Sequence, residues 1–462
     1  MIKNFFAISA ITNIVIQLSQ AIITFYIAKL IGPTQFGLFI LYMSFINLFI
    51  SLTETGISSY IIKEKEMTEI QINKYYSSFL TVIIFPIVIL FGIILSLCYF
   101  NFNNDVFILH LMIILLGGVF NIAYIFQKSF LTKNLKFNVI LKNEFLSSSI
   151  SIIIAIFLAR YTLDVISLLL FYLFRNLFLY TFSCLTTPIR FNIKNTNIDI
   201  LKKSKNYTLG FLFFNLVNYF SRNFDKYLIS EGIGKYILGQ YGLAYRIMTY
   251  PVQMLTGVIN SVLFPKLTKL NNIKEIKKEY LSSIFVISFL SLPLMSYISY
   301  NSTFFVEFFF NKEWDHLSFL IKILSICGAI QSILSTVGIL YQLNTKTFLM
   351  NKVAIINTSI ILLSIIIGVF IFHDIEKMAV LYLISYLIIF PYSMHIPLRP
   401  FNGSFIDVIK SILPSLIYTL VFVIISLLFN LSFIYNTLFS FVLFSIFFII
   451  YRKRLFNFLK NR

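Results

Sequence analysis

Charge is scarce in this chain and acidic charge scarcest: 462 residues hold 18 Asp and Glu against 37 Lys and Arg. Only 12% of the residues are charged and 58% are hydrophobic, with a mean hydropathy of +0.88. An ordinary soluble domain carries roughly 25% charged residues, so that class is excluded. The three cysteines, Cys98, Cys184 and Cys327, fall in or beside apolar stretches, which excludes a disulfide framework and a thiolate metal site. Four histidines, His110, His316, His373 and His395, are scattered without the spacing of a ligand set, so no metal is expected. Long polar segments are lacking too. The largest connections, about 63–76, 128–143, 188–206 and 264–280, are too short to fold alone.

What remains is apolar windows long enough to cross a bilayer, which takes about 20 residues each. Fourteen are read, starting near residues 8, 36, 77, 105, 144, 163, 207, 239, 281, 317, 350, 377, 405 and 432. The first, ISAITNIVIQLSQAIITFYIAKLI, is too long and too polar for a signal peptide's apolar segment and is expected to be retained. Basic residues test the count, because alternate connections should differ in Lys and Arg. They divide 27 to five between the two sides, with five more inside windows. Both termini are therefore expected in the cytoplasm. The net charge of +19 then needs no nucleic acid. It forms a rim facing anionic lipid heads, worth about 1 kcal/mol per residue near the surface.

The stretch IGPTQFGLFILYMSFINLF has an echo about 205 residues later in YILGQYGLAYRIMTYPVQM, where Phe36-Gly37-Leu38 matches Tyr241-Gly242-Leu243. Windows 1–6 and 7–12 thus read as two copies of one six-helix unit. The expected fold is an all-α integral membrane protein of about 14 spans. Residues 1–204 form an N-lobe and 205–400 a C-lobe related by a pseudo-two-fold axis, with two further helices in 401–462. Parallel repeats about an axis along the membrane normal are a transporter plan with the substrate between the lobes.

Charges inside the windows locate the candidate site. Asn215, Asn218, Arg222 and Asp225 lie on one helical stripe, with Lys226 one turn beyond Arg222. Each charge costs about 2.5–3.5 kcal/mol at mid-membrane, so the stripe must face protein or water. Arg175, Arg246 and Lys322 add positive charge in other windows. Basic side chains outweigh acidic ones there, which implies an anionic cargo, and the guanidinium fork suits phosphate. Gln17, Asn218, Gln253, Asn260 and Gln331 are candidates for a polar cavity lining. Glu54 and Asp225 are candidates for H⁺ or Na⁺ coupling. Structural roles stand beside these: Arg222 with Asp225 as a locking ion pair, Arg246 and Lys322 snorkelling outward, the amides as interhelical glue, and Glu54 as a cap. Pro86, Pro251, Pro293, Pro391 and Pro414 are expected to bend their helices.

Several blocks together carry a resemblance: AKLIGPTQFGLF, LTETGISSYIIKEKEMT, SRNFDKYLIS, YGLAYRIMTYPVQMLTGVINSVLFPKLTKL and NKEWDHLSFLIKILSICGAIQSILSTVGILYQ. In this order they resemble the polysaccharide transporter family, of the colanic-acid, teichuronic-acid and O-antigen repeat-unit flippase type. That family belongs to the multidrug/oligosaccharidyl-lipid/polysaccharide exporter superfamily. The resemblance implies a flippase that moves undecaprenyl-diphosphate-linked oligosaccharide from the cytoplasmic to the outer leaflet of a bacterial inner membrane. It also implies a central cationic cavity, and a polysaccharide polymerase and chain-length regulator as pathway partners. Arg222 and Asp225 fall in the family's Arg-Asn-x-Asp block and Arg246 in its Leu-Ala-Tyr-Arg block. Glu54 departs from the family's usual Asp, and the last two helices carry no signature.

The expected activity is alternating access without a covalent step, hence neither an enzyme nor a cofactor user. Three rivals stand against it. A drug/cation antiporter of the same superfamily would want a net acidic cavity. A membrane glycan polymerase or glycosyltransferase would need a sizeable outer loop. A lipid II flippase, also of fourteen helices, differs in cargo.

Overall fold

The computed structural model describes residues 2–53, 60–62, 67–89, 105–134, 136–162, 164–268, 270, 272–343 and 347–460, and the elements among them are helices. In the first half these are α1 (Ile2–Thr53), α2 (Glu69–Phe79), α3 (Asp105–Lys133), α4 (Phe137–Thr162), α5 (Ile166–Thr186) and α6 (Ile198–Gly232). In the second half they are α7 (Lys235–Leu267), α8 (Ile273–Tyr300), the short α9 (Ser302–Phe309), α10 (Leu317–Leu334), α11 (Val337–Leu343), α12 (Thr347–Ile366), α13 (Ile375–Leu398), α14 (Phe405–Leu428) and α15 (Phe433–Lys460). Eleven segments among the described residues are long and apolar enough to cross a membrane. The fold is therefore all-α and membrane-spanning, as the sequence predicts. The helices α6 and α7, of 35 and 33 residues, carry the charged and amide stripes.

Local chemistry sets the breaks. A continuous α1 of 52 residues would run about 78 Å, more than twice the hydrocarbon core. It is interrupted at Gly32, whose φ of 76° and ψ of 171° belong to a region that only glycine enters without strain, and Pro33 follows. Two helices thus meet where the sequence predicts the junction of the first two windows. Thr68 and Gln71 cap α2 reciprocally. The helix then passes through a π-turn, Leu80–Ile84, directly ahead of Pro86. The wider turn relieves the clash and the lost hydrogen bond that the proline imposes. Asn272 caps α8, and Asp374 caps α13 by accepting from the N–H groups of Glu376 and Lys377. Pro293, Pro391 and Pro414 all lie within helices, as does Pro251.

The chain forms two compact units, Met1–Ser230 and Glu231–Arg462. This boundary falls near the end of α6, the helix that the sequence reading counts first in the C-lobe. Within the first unit α6 is tied to α1: the Tyr219 hydroxyl donates to the Ser44 carbonyl at 3.0 Å, and Tyr227 meets Phe45 edge-on. Helix α5 packs against both α3 and α4. A Cβ on Gly118 of α3 would stand 2.6 Å from Ile46 of α1, so the close approach of these helices needs a hydrogen there.

The second unit is built on α8, whose buried face packs against α7, α10 and α14. Gly328 in α10 repeats the device of Gly118, with Met248 of α7 only 2.6 Å from the place of a Cβ. The last two helices join this core. Phe285 and Phe289 of α8 meet Tyr451 and Phe444 of α15, and the Tyr300 hydroxyl donates to the Ser426 carbonyl of α14 at 2.8 Å. Only 11% of the apolar window of α15 is buried against 56% for α8, so α15 is the lipid-facing rim of this unit.

Connections with many basic residues meet one another, and those with few do likewise. The Lys133 ammonium donates to the Met67 carbonyl, the Arg190 N–H to Asn73 and Lys277 to the Asn402 carbonyl. At the opposite ends of the spans Arg160 reaches Tyr26, and Gln240 reaches Asp315. This sorting is what the alternation of charge predicts.

Candidate functional site

The first unit places Arg175 in the middle of α5, half-buried, with Nε 3.4 Å from the Ser148 hydroxyl of α4. Around it lies a polar seam shared by α3, α4 and α5. Glu144 accepts from the Tyr124 hydroxyl at 3.2 Å and from the Lys128 ammonium at 2.9 Å. Arg175 and Glu144 both act electrostatically on Tyr124. Asn121 donates to Asn176 at 3.0 Å, and Asn143 donates to Ser183 and Thr186 at 3.2 and 3.0 Å. Burying these groups without partners would cost several kcal/mol each in an apolar medium, so the seam is satisfied by pairing across helices.

Sequence reasoning finds Arg175 but misses Glu144, Asn121, Tyr124 and Asn143. A signal existed. Asn121, Tyr124 and Lys128 follow i, i+3, i+7 along one face of α3, and Glu144 opens a serine-rich face continued by Ser147, Ser148 and Ser151. A carboxylate within a span is a functional candidate by the same reasoning that singles out Arg222.

On α6, Lys226 donates to Asn223 Oδ1 at 2.7 Å, and Asn223 turns its amide N–H to the Tyr219 carbonyl. Asp225 is half-buried and, like Lys226, engaged with neighbours. The side chains of Arg222, Asn218, Gln17 and Asn260, and Glu54 altogether, lie outside the described residues.

In the second unit Arg246 is half-buried on α7 and engaged with neighbours, whereas Gln253 on the same helix is exposed. Lys322 points outward from α10 as an exposed side chain. Gln331 of α10 donates to the Tyr382 hydroxyl of α13 at 3.5 Å, and Tyr382 is hydrogen-bonded to Tyr386. This repeats the first unit. Asn121 and Gln331 stand 210 residues apart, as do Gly118 and Gln331's neighbour Gly328, and Tyr172 and Tyr382. In each unit an amide three residues after a helix-packing glycine bonds to the helix two spans on.

One further cluster sits beyond the span ends. Gln240, fully buried, bonds Asp315 and accepts the His316 N–H at 2.8 Å, while His316 Nδ1 lies 2.9 Å from Glu376. Partial burial pushes the Asp315 carboxyl up. Donation from Gln240 and Tyr236, with the His316 charge and N–H, more than offsets this and holds it below its ordinary 3.8. Among the described residues no group of three or more His, Cys, Asp or Glu side chains is placed to hold a metal ion.

Together the arrangement offers guanidinium and ammonium groups inside spans, flanked by amides and tyrosine hydroxyls. This is chemistry for binding an anion that bears hydroxyls. Residues 26–319 match the sequence profile of a family described as polysaccharide biosynthesis protein. The chain belongs to that family. The match takes in the quoted blocks from Ala28 to Leu270 and ends before most of the block that starts at Asn311. Among relatives, an uncharacterized membrane protein in the cps region of Klebsiella pneumoniae is 23% identical over 354 residues, 74% of this chain and 70% of that protein. The lipopolysaccharide biosynthesis protein WzxC of Escherichia coli K12 is 22% identical over 154 residues, 33% of this chain and 31% of that protein. Among solved structures, the lipid II flippase MurJ in an inward closed conformation is similar with a TM-score of 0.73 at 18% identity. That likeness covers 97% of this chain and all of MurJ, and it establishes the fold of this family member along its length.

Proposed function

We propose that this protein flips a polyprenyl-diphosphate-linked oligosaccharide from the cytoplasmic to the outer leaflet of a bacterial inner membrane, as a step in polysaccharide assembly. The observation that carries the reading is the flippase fold running through 97% of a chain that matches a polysaccharide biosynthesis family. Intramembrane cations on spans of both units support it. In this reading the diphosphate is drawn to Arg175, Arg222, Lys226 and Arg246, and the glycan hydroxyls are met by amides and tyrosines of the spans. The prenyl tail stays in lipid. Opening then alternates between the two faces without a covalent step.

Both termini lie in the cytoplasm in this proposal, because that puts the 27 basic connection residues inside. Moving about two negative charges outward across an inside-negative membrane is downhill by about 2.3 kcal/mol per charge per 100 mV. The potential therefore supplies part of the drive, with Asp225 and Glu54 the groups for any coupled H⁺ or Na⁺. A polymerase and a chain-length regulator would take up the product.

The test is the leaflet of accumulated lipid-linked repeat unit in cells carrying wild type, Arg175→Ala or Arg222→Ala at matched expression. The expected result is an intermediate trapped on the cytoplasmic face. Normal flipping with lowered thermal stability would sink the reading and return these residues to structural pairing.

A further inference from the structure

The lysine-rich ends of α8, α14 and α15, on the side that the proposed function sets in the cytoplasm, enclose a cleft of about 1040 Å³ that the flipping mechanism does not use. Six cations line it: Lys274, Lys277 and Lys278 from α8, Lys410 from α14, and Lys453 and Arg454 from α15. Its two carboxylates offset only one of the six. Asp407 Oδ2 is taken by Lys277 at 2.9 Å, and Glu279 Oε2 by Lys266, which is outside the lining, at 2.5 Å. Among the described residues none of Lys274, Lys278, Lys410, Lys453 and Arg454 has a carboxylate within 4.0 Å. Arg454 is held by stacking its guanidinium 4.0 Å above the centre of the Phe285 ring. A concave site with this surplus of positive charge is built for an anion with several acceptor oxygens.

The flanks of the cleft say which kind. Lys410 takes one place in a stripe on α14 whose other members, Ile406, Leu413, Ile417, Leu420 and Ile424, are all exposed, with successive places three or four residues apart. Lys453 follows Ile446, Ile449 and Ile450 on α15, also exposed. Each cation therefore sits where a long apolar, lipid-facing strip reaches the membrane surface. A soluble phosphate would use only the cations, whereas an amphiphile would use both features. We propose that this cleft binds the headgroup of an anionic phospholipid, with its phosphate among Lys274, Lys410 and Lys453 and its acyl chains along the exposed faces of α14 and α15. The two C-terminal helices thereby gain a role, as a lipid-anchored buttress for α8.

The full-length protein, purified in detergent, is titrated with dioleoylphosphatidylglycerol or dioleoylphosphatidylcholine, and retained lipid is counted by native mass spectrometry. Wild type is expected to retain the anionic lipid at least tenfold better. A cation near an anionic lipid surface contributes about fivefold, so Lys274→Gln/Lys410→Gln/Lys453→Gln loses on the order of a hundredfold, and Lys410→Gln or Lys453→Gln alone about fivefold. The single variants carry the test should the triple unfold. Lys136→Gln/Lys194→Gln/Lys202→Gln, the same charge change at exposed sites of the first unit, retains the lipid as wild type does. The inference is overturned by equal retention of the two lipids, by full retention in the cleft variants, or by equal loss in the control triple. Displacement of the lipid by millimolar inorganic phosphate would make the cleft a site for free phosphate and overturn the lipid assignment.

Discussion

Glu144 is the sharpest test of whether the seam between α3, α4 and α5 is a bonded network or a coincidence of polar residues. Its carboxylate has two partners of different kinds: Lys128, whose side chain is 47% exposed, and the hydroxyl of Tyr124, a residue only 4% exposed. Glu144→Gln removes the charge but leaves Tyr124 an acceptor. Because one ion partner is half in solvent, that loss is at most about 1 kcal/mol. Glu144→Leu also strands a buried hydroxyl, which adds about 1–3 kcal/mol. The leucine should therefore cost about 2–4 kcal/mol and the glutamine about 1 or less. Unfolding in detergent, followed by heat or by denaturant, would rank them. In a Tyr124→Phe background the hydroxyl is gone, and the two substitutions should differ by far less. If the gap persists there, or never exists in the wild-type background, the hydrogen bond to Tyr124 is not what holds the seam.

Other predictions follow from single contacts. Gly368→Ala should destabilise by about 1–3 kcal/mol, because a Cβ there would lie 2.5 Å from the Met378 Cα and backbone must move. Gly338→Ala, with open space around it, should be neutral or stabilise by up to about 1 kcal/mol in the same assay. Gly32→Ala places a side chain at φ 76° and should cost about 1–3 kcal/mol, visible as a lowered melting temperature in detergent. The Asp315 carboxyl is held below its unfolded value of 3.8, so its stabilisation is present above that pH and is lost as pH falls through the folded value. Melting temperature should accordingly drop on acidification below about pH 4 in wild type and drop less in Asp315→Asn.

Much of the architecture was legible because it rests on one-dimensional signals. Window length, the side of each basic connection and Gly32 before Pro33 all follow from local chemistry, and the helices and their paired ends agree with them. The place of Arg175 within a span was legible for the same reason, since its window is apolar on both sides. Glu144 was not, because its meaning depends on Lys128 and Tyr124, which only the rotation of α3 against α4 brings near. Asn143 with Ser183 is a similar case, forty residues apart on helices whose facing sides no periodicity specifies. The echo at Phe36 and Tyr241 shows the repeat only faintly. The repeat is clearer at Gly118 and Gly328, where the shared feature is the absence of a side chain and so escapes a search for matching ones. Helices α14 and α15 carried no recognisable signature, yet their aromatic contacts make them part of the core around α8.

The junction at Gly32 has a consequence for how the chain enters its membrane. Two membrane-length helices joined through one non-helical residue leave no connection for a protease to cut or for an inserted tag to occupy. With a single residue between them the two helices have no slack, so the depth at which the first settles in the membrane fixes where the second begins.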